Sequence, residues 1–383
     1  MDKLKVGILG ATGFAGIEFI RALQDHPWFE IEDLYASEKN VGKTLSEVFE
    51  LGDDLHGCFI KPEIRRHKSL KSLSKINYDL DLICSALPSD VAKDIEGQCA
   101  KYVPVISTTS AFRYEEDVPI LITEINSDHS KLLRLQSMRG WKGWIAPGPN
   151  CTTVGLVMSL YPIHQEFGIE KVIMSSYQSI SGGGTALLKK FGKEREATSL
   201  SQWQNNEIIN SPKLKLEGNV IGHIEKETEK VKRETLKILG EYDNLTKHIP
   251  DIYPAEFSID CQCVRVPVLK GHFETVFVET LDSCSVEGLK QAYAKFNEEC
   301  KEKFGNLPSS PQQTLTVLER EPQPYYDVMV DGGMTTVIGQ INPSTVFKNG
   351  FTYQVLSNNL AKGAAKGMVQ VAEYLKTMGS FNH

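Results

Sequence analysis

The chain has 383 residues, of which 41% are hydrophobic and 24% are charged, and its formal net charge is −7. This length predicts two domains rather than one core, and an acidic balance without a basic stripe argues against nucleic acid as a partner. No apolar run reaches the roughly 18 residues of a membrane span, and the N-terminus lacks a signal-peptide pattern, so we expect no membrane partner and a cytoplasmic location.

Residues 1 to 150 alternate between strand and helix patterns along the chain. The strand patterns are "LKVGIL", "IEDLYAS", "LDLICSAL" and "PVISTTS", and the helical ones are "IEFIRALQDHP", stopped by Pro27, and "VAKDIEGQCAKY". This alternation predicts an α/β fold with a doubly wound parallel sheet, that is, a Rossmann-like domain.

The pattern changes after "PGPNCTTVGLVMSL", in which an apolar helix begins at Cys151. The segments "KVIMSSYQSISG", "FSIDCQCVRVPVL" and "HFETVFVETL" are β-branched and alternating, which predicts a mixed sheet in an α+β domain. Residues 185–250 are polar and predicted to be largely helical, most clearly in "EKETEKVKRETLKILG". The insert around 185–220 either contacts another subunit or is simply a segment on the protein surface.

The last pattern, "NNLAKGAAKGMVQVAEYLKTM", is an amphipathic helix. We expect it to return to the first domain. The predicted domains are therefore 1–150 together with 354–383 for dinucleotide binding, and 151–353 for catalysis and dimerisation.

Glycines spaced by three residues follow the first predicted strand, in "GATGFAG". A strand-to-helix turn of this kind brings backbone N–H groups and a helix N-terminus to a pyrophosphate, so a nucleotide is favoured over a purely structural tight turn. The candidate cofactor-binding residues of this turn are Gly10, Ala11, Thr12, Gly13, Phe14, Ala15 and Gly16.

The second predicted strand ends in "YASEKNVGK", where an NAD site usually offers an acidic residue to the ribose. Ser37 comes first here, followed by Glu38 and Lys39, with Lys43 nearby. A hydroxyl and an ammonium suit a 2′-phosphate, so NADP is predicted, although Glu38 argues against it and an ordinary polar loop is the alternative. Further cofactor candidates are Ser85, Ser181, Gly182 and Gly183.

The eight cysteines are typical of a reducing compartment, because no secretion signal accompanies them. Cys261 and Cys263 have no His or second Cys pair at zinc spacing, so alternating strand positions are the favoured interpretation and we expect no metal site. The cysteines are Cys58, Cys84, Cys99, Cys151, Cys261, Cys263, Cys284 and Cys300.

Cys151 differs from the others because it lies at a helix start, where the dipole and N–H groups lower a thiol pKa and can bind an oxyanion. Asn150 could also donate to that oxyanion. A buried structural cysteine is the alternative. Gln178 ends a strand before a Gly-rich turn, and Arg265 and His272 lie seven residues apart in "VRVPVLKGHFE". A near-neutral base and a guanidinium suit an acidic substrate at a thiolate, although a lone histidine is commonly structural.

These motifs together resemble the aspartate-β-semialdehyde dehydrogenase family, in particular its archaeal and fungal-like branch. The resemblance covers nearly the whole chain and rests on an ordered set of segments. They are "GATGFAG", "ASEKNVGK", "SAFR", "PNCTTVGLV", "YQSISGGG", "EKVKRETLKILG", "RVPVLKGHFE" and "NNLAKGAA".

The resemblance implies that Cys151 is the nucleophile, that His272 is the general acid/base and that Gln178 orients the substrate. The oxidation would pass through a thiohemiacetal and a thioester, which phosphate attacks to release an acyl phosphate. Physiologically the reaction would run as a reduction, in the biosynthesis of lysine, threonine and methionine. NADP is the implied cofactor and phosphate the co-substrate.

The resemblance also implies the substrate contacts. Arg265 would bind the substrate carboxylate, and Glu227 the amino group. Lys230 and Arg113 would lie on the phosphate side, and Asn359 near the nicotinamide. A homodimer or homotetramer through the second domain is implied, because the exposed face of its sheet would otherwise be an apolar patch.

Four positions depart from the family pattern and leave the exact acyl substrate and the cofactor preference open: Gly148 in "GPNC", Val264, Phe273 and Glu38. The alternatives are an N-acetyl-glutamyl-phosphate reductase or a malonyl-CoA reductase, and, from another class, a non-catalytic NADP-binding protein.

Overall fold

The computed structural model of the protein describes residues 2–49, 60–197, 215–243 and 250–381. Cys58 and residues 198–214 of the predicted insert lie outside these ranges. Across the described chain, every helix is too short or too polar to cross a membrane. The seven cysteines in the described ranges are all free thiols.

The N-terminal part forms a parallel six-stranded sheet in the order β3-β2-β1-β4-β5-β6. The strands are β1 (Leu4–Leu9), β2 (Phe29–Ala36), β3 (Leu70–Ser72), β4 (Leu82–Ser85), β5 (Val105–Ser107) and β6 (Ile145–Pro147). The helices are α1 (Phe14–Leu23), α2 (Leu45–Val48), α3 (Pro62–His67), α4 (Ser89–Ala100) and α5 (Thr123–Asn126), with 3-10 segments at Glu38–Asn40 and Ser127–Arg139. The predicted Rossmann-like sheet is confirmed.

The second part forms a mixed six-stranded sheet in the order β10-β7-β11-β14-β13-β12, together with the two-stranded β8-β9 ribbon. The strands are β7 (Ile169–Gln178), β8 (Glu241–Asp243), β9 (Asp251–Tyr253), β10 (Ser258–Arg265), β11 (His272–Thr280), β12 (Leu315–Leu318), β13 (Thr336–Pro343) and β14 (Gly350–Ser357). The helices are α6 (Cys151–Phe167), α7 (Gly184–Ala197), α8 (Glu227–Ile238), α9 (Val286–Phe304), α10 (Pro324–Asp327) and α11 (Ala365–Thr377), with 3-10 segments at Ile180–Gly183 and Val330–Gly333. The expected mixed sheet is confirmed.

The two faces of the second sheet differ in composition, because residues alternate along each strand. On the inner face, Val172, Met174 and Val276 pack into the same buried cluster as Val154 and Leu156 of α6. The functional side chains of β11 and β7 lie on this face, against α6. The outer face carries apolar side chains in solvent, and these are described with the proposed function below.

The C-terminal helix starts later than expected. Residues 350–357 form β14 of the second sheet, and α11 begins only at Ala365. Met368, Val369 and Ala372 of α11 pack into the core beneath the first sheet, together with Ile17 and Ile20 of α1. The helix therefore returns to the first sheet as predicted, but eleven residues after residue 354.

Residues 185–250 are less helical than predicted, since the described part contains α7 and α8 but also β8. The strands β12, β13 and β14 and the helix α9 were not predicted. The three strands lack a clear alternation of buried and exposed residues. The helix α9 does carry a helical pattern, because its buried residues recur every three or four positions: Leu289, Ala292, Tyr293, Phe296, Cys300 and Phe304.

The candidate site lies at the carboxyl edge of the first sheet. The glycine turn follows β1, and residues 148–150 follow β6, so both segments leave the same edge of a parallel sheet. Three strand spacings separate β1 from β6, or roughly 14 Å at about 4.8 Å per strand. The start of α6 therefore faces the same crevice as the glycine turn.

Candidate active site

Cys151 is the first residue of α6, and the N-cap of this helix is Asn150. The Asn150 side-chain oxygen accepts hydrogen bonds from the backbone N–H groups of Thr152 (2.8 Å) and Thr153 (3.4 Å). Its amide nitrogen donates to the Glu227 carboxylate at 2.9 Å. The predicted helix start is therefore observed. The Asn150 side chain, which we expected to donate to an oxyanion, instead caps the helix and donates to a carboxylate.

His272 begins β11 and contacts the cysteine directly. Its Nε2 atom lies 3.2 Å from Cys151 Sγ. The backbone N–H of Ser179 donates to His272 Nδ1 at 3.2 Å, and the Ser179 hydroxyl lies 3.4 Å from the same atom. These two contacts orient the buried ring so that Nε2 faces the sulfur.

The surroundings of this pair oppose ionisation, whereas we expected the helix start to lower the thiol pKa. Burial raises the pKa of Cys151 to about 12, and the negative charge of Glu227 adds to this, whereas Arg265 and Arg113 oppose it. Burial, followed by the positive charge of Arg265, lowers the pKa of His272 to about 3. Desolvation penalises the charged form of each group and is the largest contribution to both pKa shifts.

Four more predicted residues surround this pair. Gln178 donates to the Glu227 carboxylate at 3.3 Å and is 1% exposed. Arg265 is 8% exposed and donates to the Ser179 carbonyl at 2.8 Å. Lys230 lies 3.8 Å from Glu227, one turn along α8. The fold thus brings a carboxylate, an ammonium and a guanidinium around one thiol, as an amphoteric substrate would need.

Arg113 lies close to Cys151, and its side chain is already bound to other groups of the protein. Its guanidinium donates to the carbonyls of Gly148 (2.8 Å), Thr108 (3.0 Å) and Pro149 (3.1 Å) and to Glu234 (3.1 Å). These bonds use four of the five N–H donors of a guanidinium.

Asn359 connects the Gly-rich turn of residues 180–183 to the loop that carries His272. Its nitrogen donates to the Ser181 hydroxyl at 2.9 Å, and its oxygen accepts from the Gly271 amide at 2.9 Å. At Gly182 a Cβ atom would lie 2.6 Å from the Arg265 guanidinium and 2.9 Å from the His272 ring. Gly182 therefore keeps open the space beside both side chains. At Gly183 a Cβ atom would lie 2.3 Å from the Leu187 side chain.

The glycine turn after β1 is tightly closed. Gly10 has a positive φ of 76°, and a Cβ atom on Gly16 would lie 2.2 Å from the Gly10 carbonyl oxygen. The amides of Gly10 and Ala11 donate to the Tyr35 carbonyl, and that of Gly13 to Gly10. The turn therefore needs its glycines for shape.

The same turn leads into α1, which begins with Phe14 and Ala15 after Thr12 and Gly13. Gly13 is the N-cap, so the cap residue has no side chain that could bond to the first turn. The start of α1 lies at the carboxyl edge of the sheet, and this position is compatible with a bound anionic group and also with a purely structural turn.

Ser37, Glu38 and Lys39 are exposed just after β2. The Glu38 carboxylate accepts a hydrogen bond from the Ser72 hydroxyl of β3, so it is already partnered within the protein. Ser85 is the last residue of β4 and is fully buried beside the glycine turn, whose Gly10 touches the Ala86 carbonyl.

The other three departures from the family pattern lie outside the thiol pocket. The Phe273 ring packs edge-on to Tyr177 on the outer face of the second sheet, and Val264 alternates with the inward-facing Arg265. A Cβ atom at Gly148 would lie 2.4 Å from the sulfur of Met368, so a larger residue there would need this flexible side chain to move.

Sequence reasoning missed Ser179, Glu234 and Tyr114. Ser179 follows Gln178 directly, so its position next to a predicted site residue was a usable signal. Glu234 lies seven residues after Glu227, and two helical turns place both residues on one face of α8. Its partner Tyr114 follows Arg113 and carries no chemical signature in the sequence.

Comparison with known proteins agrees with this geometry. Residues 5–133 match the NAD binding domain of semialdehyde dehydrogenases, and residues 160–362 match their dimerisation domain. An aspartate-semialdehyde dehydrogenase of Methanothermobacter thermautotrophicus is 34% identical over 97% of this chain and 99% of its own length. A malonyl CoA reductase (NADP) of Metallosphaera sedula is 29% identical over 98% of both chains.

A solved structure extends the similarity to the fold. The crystal structure of the Candida albicans aspartate semialdehyde dehydrogenase with NADP superposes with a TM-score of 0.79 at 29% identity, covering 99% of this chain and 100% of that one. Archaeal and fungal proteins are thus both among its relatives, as the motifs predicted. The chain belongs to the aspartate-semialdehyde dehydrogenase family.

Proposed function

We propose that the protein catalyses the reversible, NADP-dependent, phosphorylating oxidation of L-aspartate 4-semialdehyde to L-4-aspartyl phosphate. Its physiological direction would be the reduction, in lysine, threonine and methionine biosynthesis. The observation that carries the proposal is the 3.2 Å contact between Cys151 Sγ and His272 Nε2 at the start of α6. The similarity to aspartate-semialdehyde dehydrogenases supports the choice of substrate.

The charges around the thiol suit both ends of this substrate. The Arg265 guanidinium would bind the carboxylate, and the Glu227 carboxylate would bind the ammonium group, while Gln178 orients the reacting carbon. Lys230, on the rim of the site, would attract phosphate. Glu227 favours a free amino group, which an N-acetylated substrate lacks.

Cys151 supplies the nucleophile. Its sulfur would attack the aldehyde carbon and give a thiohemiacetal, and the thiol proton would pass through His272 to the former carbonyl oxygen. This transfer uses the tautomer in which Nδ1–H faces the Ser179 hydroxyl and the Nε2 lone pair faces the sulfur. When bound, the nicotinamide would accept a hydride from that carbon. His272 would take the proton of the thiohemiacetal hydroxyl, leaving a thioester on Cys151. A phosphate oxygen would then attack the thioester carbonyl and release the acyl phosphate and the thiolate.

The chain's own residues fit a nicotinamide dinucleotide. The uncapped start of α1 and the bare turn at Gly10–Gly16 would hold the pyrophosphate. Ser181, Gly182 and Asn359 would border the nicotinamide next to the thiol. Ser37 and Lys39 would meet a 2′-phosphate, and the Ser72–Glu38 hydrogen bond supports NADP because it gives the carboxylate a partner within the protein.

The protein would work as a homodimer or homotetramer. The matched dimerisation domain supports self-association, and the outer face of the second sheet offers an apolar surface. There Ile173 and Phe277 are cross-strand neighbours and are 49% and 36% exposed, next to Tyr177 at 40%. Cytoplasmic location remains part of the proposal, supported by the free thiols.

One assay tests the function. The purified protein is mixed with L-aspartate 4-semialdehyde and NADP⁺, and NADPH absorbance is followed with and without phosphate. We expect NADPH to form only when phosphate is present, and Cys151→Ala to abolish it while retaining NADPH binding. Turnover by Cys151→Ala above about one-hundredth of the parent rate would remove the cysteine from the mechanism. Faster turnover of N-acetyl-glutamate semialdehyde, or of malonyl-CoA with NADPH, would assign a sister activity.

A further inference from the structure

Glu234 is a fully buried carboxylate on the same face of α8 as Glu227. It accepts three hydrogen bonds: from the backbone N–H of Asn150 (2.6 Å), from Arg113 (3.1 Å) and from the Tyr114 hydroxyl (3.2 Å). It touches neither the thiol nor the imidazole. Its contacts converge on the turn that immediately precedes Cys151.

Arg113 holds the other side of the same turn. Its guanidinium donates to the carbonyls of Gly148 and Pro149, while its remaining printed bonds reach Thr108 and Glu234. The ion pair is therefore hydrogen-bonded to three consecutive residues. The Glu234 carboxylate accepts from the Asn150 amide, and the Arg113 guanidinium donates to the carbonyls of the two residues before it. Both charges are buried, at 4% exposure for Arg113 and 0% for Glu234.

Asn150 is thereby fixed by hydrogen bonds at three of its groups: the backbone amide, the side-chain nitrogen and the side-chain oxygen. Its amide N–H is bound by Glu234, its side-chain nitrogen by Glu227 at 2.9 Å, and its side-chain oxygen by the first turn of α6. Both carboxylates come from α8, so this one helix determines where α6 begins. The direction in which Cys151 leaves the helix, and hence its 3.2 Å contact with His272, follows from that position.

We propose that Glu234, acting through its ion pair with Arg113, is a positioning residue that holds Cys151 in its reactive orientation. The inference rests on the proposed function, in which Cys151 is the nucleophile. A buried ion pair that loses one partner leaves an uncompensated charge, so the turn would shift when Glu234 is neutralised.

The test compares Glu234→Gln with Glu229→Gln, which removes the same charge from an exposed position of the same helix. The first measurement needs no substrate: the rate of Cys151 alkylation by iodoacetamide, assigned by peptide mass spectrometry against Cys151→Ala. We expect Glu234→Gln to slow alkylation and to lower kcat by about 10- to 100-fold, since a small misplacement of a reacting group has effects of this size. The KM values should change by less than about threefold, and Glu229→Gln should match the parent.

Whether Glu234→Gln slows or speeds the alkylation of Cys151 distinguishes a positioning role of Glu234 from a purely electrostatic effect of its charge. Removing a nearby negative charge favours the thiolate, so a purely electrostatic role predicts faster alkylation. An unchanged or faster alkylation rate in Glu234→Gln would overturn the proposal. Thermal midpoint and NADPH affinity, measured for each variant, verify that the protein is folded.

Arg113→Lys provides a second, independent test and decides the question if Glu234→Gln does not fold. We expect slower alkylation and a lower kcat, because an ammonium cannot reach both carbonyls and Glu234 together. A selective rise of the phosphate KM with unchanged alkylation would identify Arg113 as a phosphate ligand and refute the positioning role. If the parent does not oxidise aspartate semialdehyde, the proposed function fails, while the alkylation rates still decide the positioning role.

Discussion

The reactive sulfur of Cys151 lies among opposing charges, and its chemistry depends on which of them dominates. Burial and Glu227 raise the pKa of the thiol to about 12, while Arg265 and Arg113 act in the other direction. The adjacent imidazole of His272 also resists protonation, mainly because of burial. Burial thus favours the neutral forms of both groups, and a positive charge brought near the thiol would shift this balance toward the thiolate.

This balance predicts the pH dependence of thiol reactivity. Below its pKa a thiol gains thiolate by about tenfold per pH unit, so alkylation of Cys151 in the ligand-free protein should rise steadily from about pH 6 to about pH 10 without a plateau. Iodoacetamide kinetics followed by peptide mass spectrometry measure this, with Cys151→Ala defining the background from other cysteines. A plateau with an apparent pKa near neutrality would instead indicate a preformed thiolate–imidazolium pair.

Arg265 provides a second prediction for a single residue. In Arg265→Leu the substrate carboxylate loses a charge-assisted hydrogen bond, worth about 1.5–3 kcal/mol, so KM for aspartate semialdehyde should rise by about 10- to 100-fold. KM for NADP should change little, as the guanidinium lies beside the thiol rather than at the glycine turn. Initial-rate kinetics with both substrates varied give the two values, and Arg134→Leu on the exposed surface is the matched control. Equal changes in both KM values would mean that Arg265 is structural.

Among the elements, α11 depends on an ion pair to attach it to the first domain. Lys362, just before the helix, donates to Glu124 of α5 at 2.5 Å and to Gln370 of α11 at 2.9 Å. Gln370 in turn donates to the other oxygen of Glu124 at 2.9 Å. Both charged groups are almost completely buried, at 2% and 1% side-chain exposure. This network therefore fixes the chain between β14 and α11, which also carries Asn359.

Removing one charge from this pair should destabilise the protein strongly. Lys362→Met leaves the Glu124 carboxylate buried without its cation, and the expected loss is about 3–5 kcal/mol of unfolding free energy. Urea denaturation followed by circular dichroism measures the shift of the midpoint. Lys290→Met, which breaks the surface pair with Glu319, should leave the midpoint close to that of the parent. The double variant Lys362→Met/Glu124→Leu should recover part of the loss, and a Lys362→Met midpoint equal to the parent's would contradict this interpretation.

At the scale of the whole molecule, the outer face of the second sheet exposes a group of apolar side chains. Ile173 pairs across the strands with Phe277, and Tyr177 with Phe273. The inner face of the same strands carries Gln178 and His272, so the sheet separates the candidate site from these side chains. A second copy of the chain covering the outer face would bury it and stiffen the strands that hold the site.

Placing a charge at the centre of that surface should separate the subunits. Ile173→Lys would bury an ammonium against apolar side chains, so the particle mass from light scattering after size exclusion should fall to that of a smaller assembly. Met138→Lys in the first domain, at 74% exposure, is the matched control and should leave the mass unchanged. A parent protein that is monomeric, or an Ile173→Lys variant of unchanged mass, would exclude this face as the interface.

The sequence by itself determined the local features of this protein. The glycines of the β1 turn, the N-cap Asn150 before the helix of Cys151, and the Glu227–Lys230 spacing on α8 all depend on neighbours in the chain, so they are visible as patterns. The parallel first sheet and the family membership were predicted from such segments and are confirmed. The individual roles of the site residues and the domain limits stay predictions.

Only the tertiary structure decided which distant groups meet and what environment they share. The bonds of Glu234 to Asn150 and Arg113 span 84 and 121 residues, and no local pattern encodes them. Neither did any pattern reveal that burial raises the pKa of Cys151 at its helix start, because desolvation depends on every atom packed around a group. The late start of α11 has the same origin, since residues 350–357 become a strand only when β11 and β13 are present to pair with them.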